Sequence, residues 1–324
     1  MRAALVVSQN AHEPLEGLQL EHDHPAPEAV PGHTVVRVKA ASLNPHDLWT
    51  LRGVGHPADR VPMILGCDGA GVTDDGREVV LHPVIGDAVR GGGDVTLDPG
   101  RALLSETVDG TLADLILVPD ELLLDKPESV SFTDAACLGI AWGTAYRMLF
   151  TRAAVRPGDT VLVQGSSGGV SSAAIALARA AGATVFATSR TEEKRQFALE
   201  QGAHEVFENG ARLPRKVDVV VETIGEATWG HSLRSVRPGG TVVLCGATTG
   251  AMPPAELNRV FYQQLSIIGS TACTRDEFAR LLELLGRTGI RPSTETLSFD
   301  DIPAGMQRLI DGDILGKLVV DFDA

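Results

Sequence analysis

Cysteine is scarce in this chain: four in 324 residues, Cys67, Cys137, Cys245 and Cys273. No two lie close together and no C-x-x-C occurs, so a disulfide scaffold and a zinc ribbon are both excluded. Reduced thiols and a cytoplasmic location are the expectation. Basic residues are in deficit, 28 Lys+Arg against 42 Asp+Glu, a formal net charge of −14. A chain with that balance has no cationic footprint for nucleic acid or for an anionic membrane surface. Long apolar runs are missing as well. None approaches the roughly 18 residues of a membrane span, and the opening MRAALVVSQNAHEP lacks the apolar region of a secretion signal and reads as a strand. There is no internal repeat and no low-complexity tract. What remains is ordinary globular composition, 44% hydrophobic and 22% charged, in a length that suits two domains.

The texture changes along the chain. Up to about residue 120, short alternating runs such as VVRVKA, REVVLHP and LADLILVP are broken by Gly and Pro, which suits an irregular, mostly antiparallel β domain. Thr133–Phe150 reads as a helix. From residue 158, strands alternate with helices. Thr160–Gln164, Ala183–Ser189, His204–Phe207, Val217–Thr223, Thr241–Gly246 and Leu265–Thr271 are the expected strands, and Val170–Ala181, Glu192–Gln201 and Ala227–Val236 the expected helices. Nearly all-apolar strands at this spacing predict a parallel, doubly wound α/β sheet buried on both faces. Two more helices, about Arg275–Arg287 and Ile302–Gly312, and a strand at Lys317–Asp321 have no sheet of their own and are expected to return to the first domain.

The strongest local signal is a buried strand running into Gly165, Ser166, Ser167, Gly168, Gly169 and Val170, followed by a helix of small residues. Glycines let the backbone approach a pyrophosphate, and the N–H groups and dipole of the helix start favour its charge. The next strand ends at Ser189-Arg190, where sites specific for NAD carry an acid for the ribose 2′-OH. Ser189, Arg190 and Lys194 offer a hydroxyl and two cations instead, so a 2′-phosphate, and with it NADP(H), is expected. A solvated helix start is the competing reading for Lys194 above all.

With these motifs the chain resembles the medium-chain dehydrogenase/reductase superfamily, in its zinc-independent quinone oxidoreductase branch. The resemblance runs nearly the whole length. It rests on the opening MRAALVV, on SLNPHD at Ser42–Asp47, LGCDGAG at Leu65–Gly71, DGTLAD at Asp109–Asp114 and AWGTAY at Ala141–Tyr146. It continues in RPGDTVLV at Arg156–Val163, the glycine turn, RPGG at Arg237–Gly240, LSIIGST at Leu265–Thr271 and GKLVV at Gly316–Val320. It implies a GroES-like β-rich domain over 1–122, completed by 273–324, and a Rossmann domain over 123–272, with the active site between them. It also implies a homodimer formed by pairing the Leu265–Thr271 strand across a two-fold axis.

The catalytic zinc ligands of the superfamily's alcohol dehydrogenases fall here on Asn44, Cys67 and about Ile140, which leaves one thiol, and residues 82–110 contain no cysteine for a structural zinc lobe. No metal is expected. His82 lies in that stretch and reads as a solvated or capped side chain. Two departures from the family stand out. Ser171 replaces a glycine at the seventh position of the turn, and no tyrosine follows the N-x-x-D motif to serve as a proton donor.

Without zinc, hydride addition to a quinone, or to a C=C conjugated to a carbonyl, is the accessible chemistry, because charge spreads onto the carbonyl oxygen. Asn44 is the leading site residue, for the nicotinamide ribose or the substrate oxygen; a plain turn residue before Pro45 is the alternative. Asp47 is expected to tie the loop. His46 stands where zinc alcohol dehydrogenases keep a proton-relay hydroxyl and is either a general acid or an exposed loop histidine. His56 is a further candidate of that kind. The resemblance aims the Thr144 hydroxyl at the nicotinamide. Gly246, Ala247 and Thr248 follow a strand at its carboxyl end, Gly269, Ser270 and Thr271 are expected to hold the carboxamide, and Lys317 either reaches the cofactor or frays at the surface. Trp49, Phe261 and Tyr262 line an apolar pocket or, the safer reading, pack in the core. An enoyl thioester reductase and a cofactor-bound sensor or structural protein with little turnover are the alternatives.

Overall fold

The computed structural model describes residues 1–323. They form two compact units, Met1–Ile140 together with the chain from Ala272 onward, and Ala141–Thr271. The first crossing falls at 140/141 rather than at 122/123. Leu123–Asp125 is a strand paired with Glu78–Leu81, and the helix Phe132–Ala135 packs on His33–Ser42, so this segment belongs to the first sheet.

The first unit is built on a seven-stranded sheet. Its order is Leu123–Asp125, Glu78–Leu81, Gly69–Thr73, His33–Ser42, Lys317–Asp321, Thr294–Leu297, with Leu115–Pro119 also paired to His33–Ser42. Alternation along the strands buries Val36, Val38, Leu81, Ile116, Leu318 and Val320 in one core. The C-terminal strand runs antiparallel to His33–Ser42, with Val319 opposite Ser42. That register sets Lys317 beside the end of the strand that leads to Asn44. Thr294–Leu297 pairs parallel to it through the helix Ile302–Asp311. This strand was not expected: TETL is a polar edge sequence without the apolar period of a buried strand.

In residues 82–110, which hold no cysteine, one carboxylate organises the chain. Asp98, fully buried, accepts from the backbone of Asp87 and Gly100 and pairs with Arg90 at 2.8 Å. His82 is buried rather than solvated. It is 2% exposed and Nε2 donates to the Cys273 carbonyl at 3.0 Å, which ties the returning tail to the N-terminal segment.

The second unit is a six-stranded parallel sheet. The order is Glu205–Glu208, Thr184–Ser189, Thr160–Val163, Val217–Glu222, Val236–Leu244, Ser266–Gly269. The central strands are apolar on both faces because the helices Gly169–Ala180, Glu192–Glu200 and Glu226–Ser235 accompany them. The expected helix over Thr133–Phe150 is not continuous. After Phe132–Ala135 the chain winds more widely at Leu138–Trp142 and Arg147–Arg152, with an α-helical turn at Gly143–Tyr146 between. The cause at its start is Asp68, whose Oδ1 draws the Ile140 N–H at 2.6 Å out of the helical ladder. Gly139 is required there, since a Cβ would lie 2.7 Å from that oxygen. No described helix is long and apolar enough to cross a membrane.

Candidate functional site

In the first unit, the strand His33–Ser42 delivers Leu43 and Asn44 to the start of the helix Pro45–Leu51, where Pro45 sets the helical φ. Asn44 is 2% exposed. Its Nδ2 donates to Ser42 O at 3.1 Å and to Asp68 Oδ2 at 2.9 Å, and its Oδ1 accepts from Lys317 Nζ at 2.5 Å. Both amide protons are therefore committed inside the protein, and one lone pair of Oδ1 remains. Lys317 is buried, not frayed. Its ammonium also donates to Leu43 O at 2.9 Å and lies 3.8 Å from Asp68 Oδ2. Burial pushes the Asp68 carboxyl up, against the pull of Lys317 and three hydrogen bonds. Asp47 ties the loop as expected: Oδ2 accepts from Asn44 N at 2.8 Å and Oδ1 from Gly66 N at 3.0 Å.

One turn along, His46 Nε2 meets Glu106 Oε1 at 2.9 Å, and the other oxygen of Glu106 accepts from Leu103 N at 2.7 Å. Burial opposes charge on the imidazole. The Glu106 hydrogen bond and the carboxylates of Asp47, Glu106 and Asp68 outweigh it and raise the His46 pKa above 6.5. His46 is thus neither a loop side chain nor isolated. His56 is 4% exposed, and burial lowers its pKa.

The metal question turns on donor chemistry. Among the described residues, one group of metal-type donors comes together: His46, Asp47 and Cys67, with atoms within 4.8 Å of one another. Both Asp47 oxygens already hold backbone N–H groups. Burial, with Asp47 and Asp68, pushes the Cys67 thiol well up. With both Asp47 oxygens taken and no thiolate or imidazole added by Asn44 or Ile140, the donor set falls short of a tetrahedral zinc site.

In the second unit the glycine turn joins the strand Thr160–Val163 to the helix Gly169–Ala180. Gly165 sits at φ +73°, and a Cβ there would come within 2.9 Å of Ile224 Cδ1. No side chain caps the start of the helix Gly169–Ala180 at Gly168, where an added Cβ would meet only Ser171 Oγ at 3.5 Å. Uncapped N–H groups behind an open glycine suit a diphosphate. The extra Cβ of Ser171 is absorbed locally, because its hydroxyl donates to Gly168 O at 3.2 Å. Thr188 Oγ1 donates to Gln164 Oε1 at 2.7 Å, and Gln164 Nε2 donates to Ser232 Oγ at 3.0 Å, which pins the strand ends beneath the turn. Ser166 Oγ donates to Lys194 O at 2.8 Å.

Ser189 is buried at the strand end and Arg190 is exposed beside it. Ser167, Gly169 and Val170 are half-buried around the turn, and Thr144 is 4% exposed in its helical turn. Gly246 is half-buried, with Ala247 and Thr248 exposed after it. Ser270 N donates to Leu244 O at 2.9 Å, and its neighbours Gly269 and Thr271 are exposed. Phe261 and Tyr262 depart from expectation. They are 67% and 78% exposed on the short helix Leu257–Tyr262, next to the edge strand, and pack in no core. Sequence reading missed Glu106 and the part played by Asp68. Asp68 falls inside the LGCDGAG segment Leu65–Gly71, whereas nothing local marks Glu106.

Comparison with known proteins bears on the class. Residues 30–128 match the alcohol dehydrogenase GroES-like domain and residues 169–287 the zinc-binding dehydrogenase family. The quinone oxidoreductase of Mus musculus is 31% identical over 286 residues, which covers 83% of this chain and 81% of that protein. A solved NAD-dependent alcohol dehydrogenase superposes with a TM-score of 0.90 at 31% identity, over 99% of each chain. The crotonyl-CoA carboxylase/reductase AntE, solved in complex with NADP, has a TM-score of 0.88 at 26% identity, over 99% of this chain and 94% of that one. The chain belongs to the medium-chain dehydrogenase/reductase superfamily. It is an oxidoreductase of that superfamily, with a GroES-like unit and a Rossmann unit.

Proposed function

We propose that the protein is an NADPH-dependent oxidoreductase that reduces quinones, or the C=C of α,β-unsaturated carbonyls, without zinc. The observation that carries this reading is the buried Asn44–Lys317–Asp68 group, which puts an amide, an ammonium and a carboxylate where a metal centre would need thiolate and imidazole donors. The open glycine turn supports a dinucleotide. The pairing of Ser189 with exposed Arg190, and no acid at the strand end, supports a 2′-phosphate. A reduced nicotinamide, when bound, supplies hydride. The chain's part is to cradle the diphosphate at Gly165–Val170 and the carboxamide at Gly269–Thr271, to support the ring through Thr144, and to hold an acid at His46 for the oxygen on which charge develops. An enoyl thioester reductase is the second reading. The similarity to AntE favours it.

The protein is also proposed to dimerise through its edge strand. Ser266–Gly269 is paired on one side only, and Ile267, Leu257, Phe261 and Tyr262 expose apolar surface beside it. Light scattering should report a dimer that Ile267→Lys splits; a monomeric wild type removes this part. For the reaction, NADPH oxidation is followed with 9,10-phenanthrenequinone, small enones and crotonyl-CoA. Turnover with the first two is expected, turnover with the thioester alone moves the assignment to the second reading, and none at all leaves a binding protein. NADPH should be preferred to NADH by roughly 10- to 100-fold, the scale of a charge-assisted hydrogen bond, and Arg190→Ala should abolish that preference. Elemental analysis that finds one zinc per chain overturns the metal-free assignment.

A further inference from the structure

Buried polar atoms are almost always hydrogen-bonded, so those that are not concentrate meaning. Five buried side-chain polar atoms have no partner among the described residues, and four of them belong to His46, His56 and Ser105. Two of these residues, His46 and His56, interact with Glu106, and Ser105 is its chain neighbour. His46 Nε2 touches the Glu106 carboxylate at 2.9 Å, and His56 lies within electrostatic reach of both Glu106 and His46. Ser105 is itself held at φ +68°, a left-handed conformation that costs a non-glycine residue about 1–2 kcal/mol. Strain of that kind is retained where the surroundings demand it. A turn from Leu103 to Val108, closed by Ser105 N to Val108 O at 3.0 Å and Glu106 N to Leu103 O at 3.1 Å, fixes the carboxylate.

We propose that Glu106 is a positioning residue that holds His46 by Nε2 and thereby presents Nδ1 as the atom that delivers a proton to the substrate's carbonyl or quinone oxygen. The inference rests on the proposed reaction. Glu106 accepts Nε2–H, so the unpartnered Nδ1 is the nitrogen that carries or releases the exchangeable proton. The step balances. Two electrons arrive with the hydride from the reduced nicotinamide, negative charge develops on the substrate oxygen, the Nδ1–H bond of the imidazolium breaks, and the proton goes to that oxygen. The neutral imidazole keeps its Nε2 proton against Glu106, and water reprotonates Nδ1. The charged or titratable groups around His46 are Glu106, Asp47 and Asp68, with His56 kept neutral by burial and the Cys67 thiol kept protonated by it.

The test has two arms. In the first, nitrogen-15 histidine spectra of the wild-type protein, with His46→Gln to assign the resonance, follow the His46 titration without substrate. Neutral His46 should be the Nε2–H tautomer with a pKa above 6.5, and Glu106→Gln should move that pKa down. A neutral Nδ1–H tautomer, or a pKa that Glu106→Gln leaves in place, overturns the proposal. In the second arm, kcat/KM for a quinone or enone should fall as pH rises through the His46 pKa. Glu106→Gln should shift that limb to lower pH, so that a loss of roughly tenfold at pH 7.5 shrinks towards none at pH 5.5. His46→Gln should cost roughly 10²–10⁴-fold and flatten the limb. A purely structural Glu106 would instead lower the rate equally at every pH, which also overturns the proposal. If the titration behaves as stated while no substrate turns over, the proposed reaction has failed, and proton delivery by Nδ1 falls with it.

Discussion

Lys317→Met isolates the buried charge pair at the base of the candidate site. Methionine keeps most of the aliphatic stem and removes the ammonium. The ammonium serves Leu43 O at 2.9 Å, Asn44 Oδ1 at 2.5 Å and, at 3.8 Å, the fully buried Asp68. Breaking a buried pair from one side costs about 3–5 kcal/mol, because the partner charge stays in place without compensation. Asp68 retains three donors, from Ser42 Oγ at 3.1 Å, Asn44 Nδ2 at 2.9 Å and Ile140 N at 2.6 Å. It can also escape by taking up a proton. Burial already raises its pKa, and loss of Lys317 raises it further. A carboxyl whose folded pKa exceeds its unfolded value is stabilised by protonation, so its contribution is full at low pH and is lost as pH rises through the folded pKa. The deficit of the variant should therefore be about 3 kcal/mol or more near pH 7 and smaller near pH 5. Urea unfolding followed by tryptophan fluorescence at both pH values measures it. The double variant Lys317→Met with Asp68→Asn should recover part of the loss, as expected for two groups that interact directly. A deficit below about 1 kcal/mol, or one that widens on acidification, refutes the reasoning.

Two further outcomes are expected. Gly165→Ala forces a Cβ onto Ile224 in a left-handed conformation and should weaken dinucleotide binding by at least roughly tenfold, read by NADPH fluorescence titration, while the fold unit survives; unchanged affinity would remove the cradle from that turn. Burial lowers the His82 pKa to about 4, so its neutral form stabilises the fold above pH 6.5, and that contribution of about 3 kcal/mol is lost as pH falls from 6.5 towards 4. His82→Gln should flatten the acid limb of a stability-versus-pH curve; an unaltered slope would refute the assignment.

The sequence was most legible where burial imposes a period. The strands Thr160–Val163 and Val217–Glu222 read directly because helices cover both their faces, and the glycine turn read because φ +73° at Gly165 favours glycine. Legibility failed where a distant group overrides local preference. The wide helical turn at Leu138–Trp142 follows from Asp68, far upstream, which captures the Ile140 N–H. Thr294–Leu297 is an edge strand whose sequence carries no apolar alternation, so only its partner strand reveals it. Glu106 is separated from His46 by 60 residues of chain, and no spacing rule links a lone glutamate to a histidine at that range. The surface position of Phe261 and Tyr262 follows from an edge strand paired on one side, which residue type alone does not disclose.

His46 and His82 show why burial alone does not decide a histidine's role. Both rings are largely withdrawn from water, and for both desolvation resists charging. His82 has a carbonyl as its partner, that of Cys273, and a carbonyl cannot repay the lost solvation of an imidazolium, so the ring stays neutral to about pH 4. His46 faces Glu106, with Asp47 and Asp68 behind it, and their charge outweighs the same penalty. The consequences run in opposite directions on the pH axis. Acid favours the protonated His46 that the proposed reaction consumes and erodes the fold through His82. The alkaline limb of activity should therefore belong to His46 chemistry and the acid limb to unfolding. A substitution at either histidine should move one limb and leave the other in place.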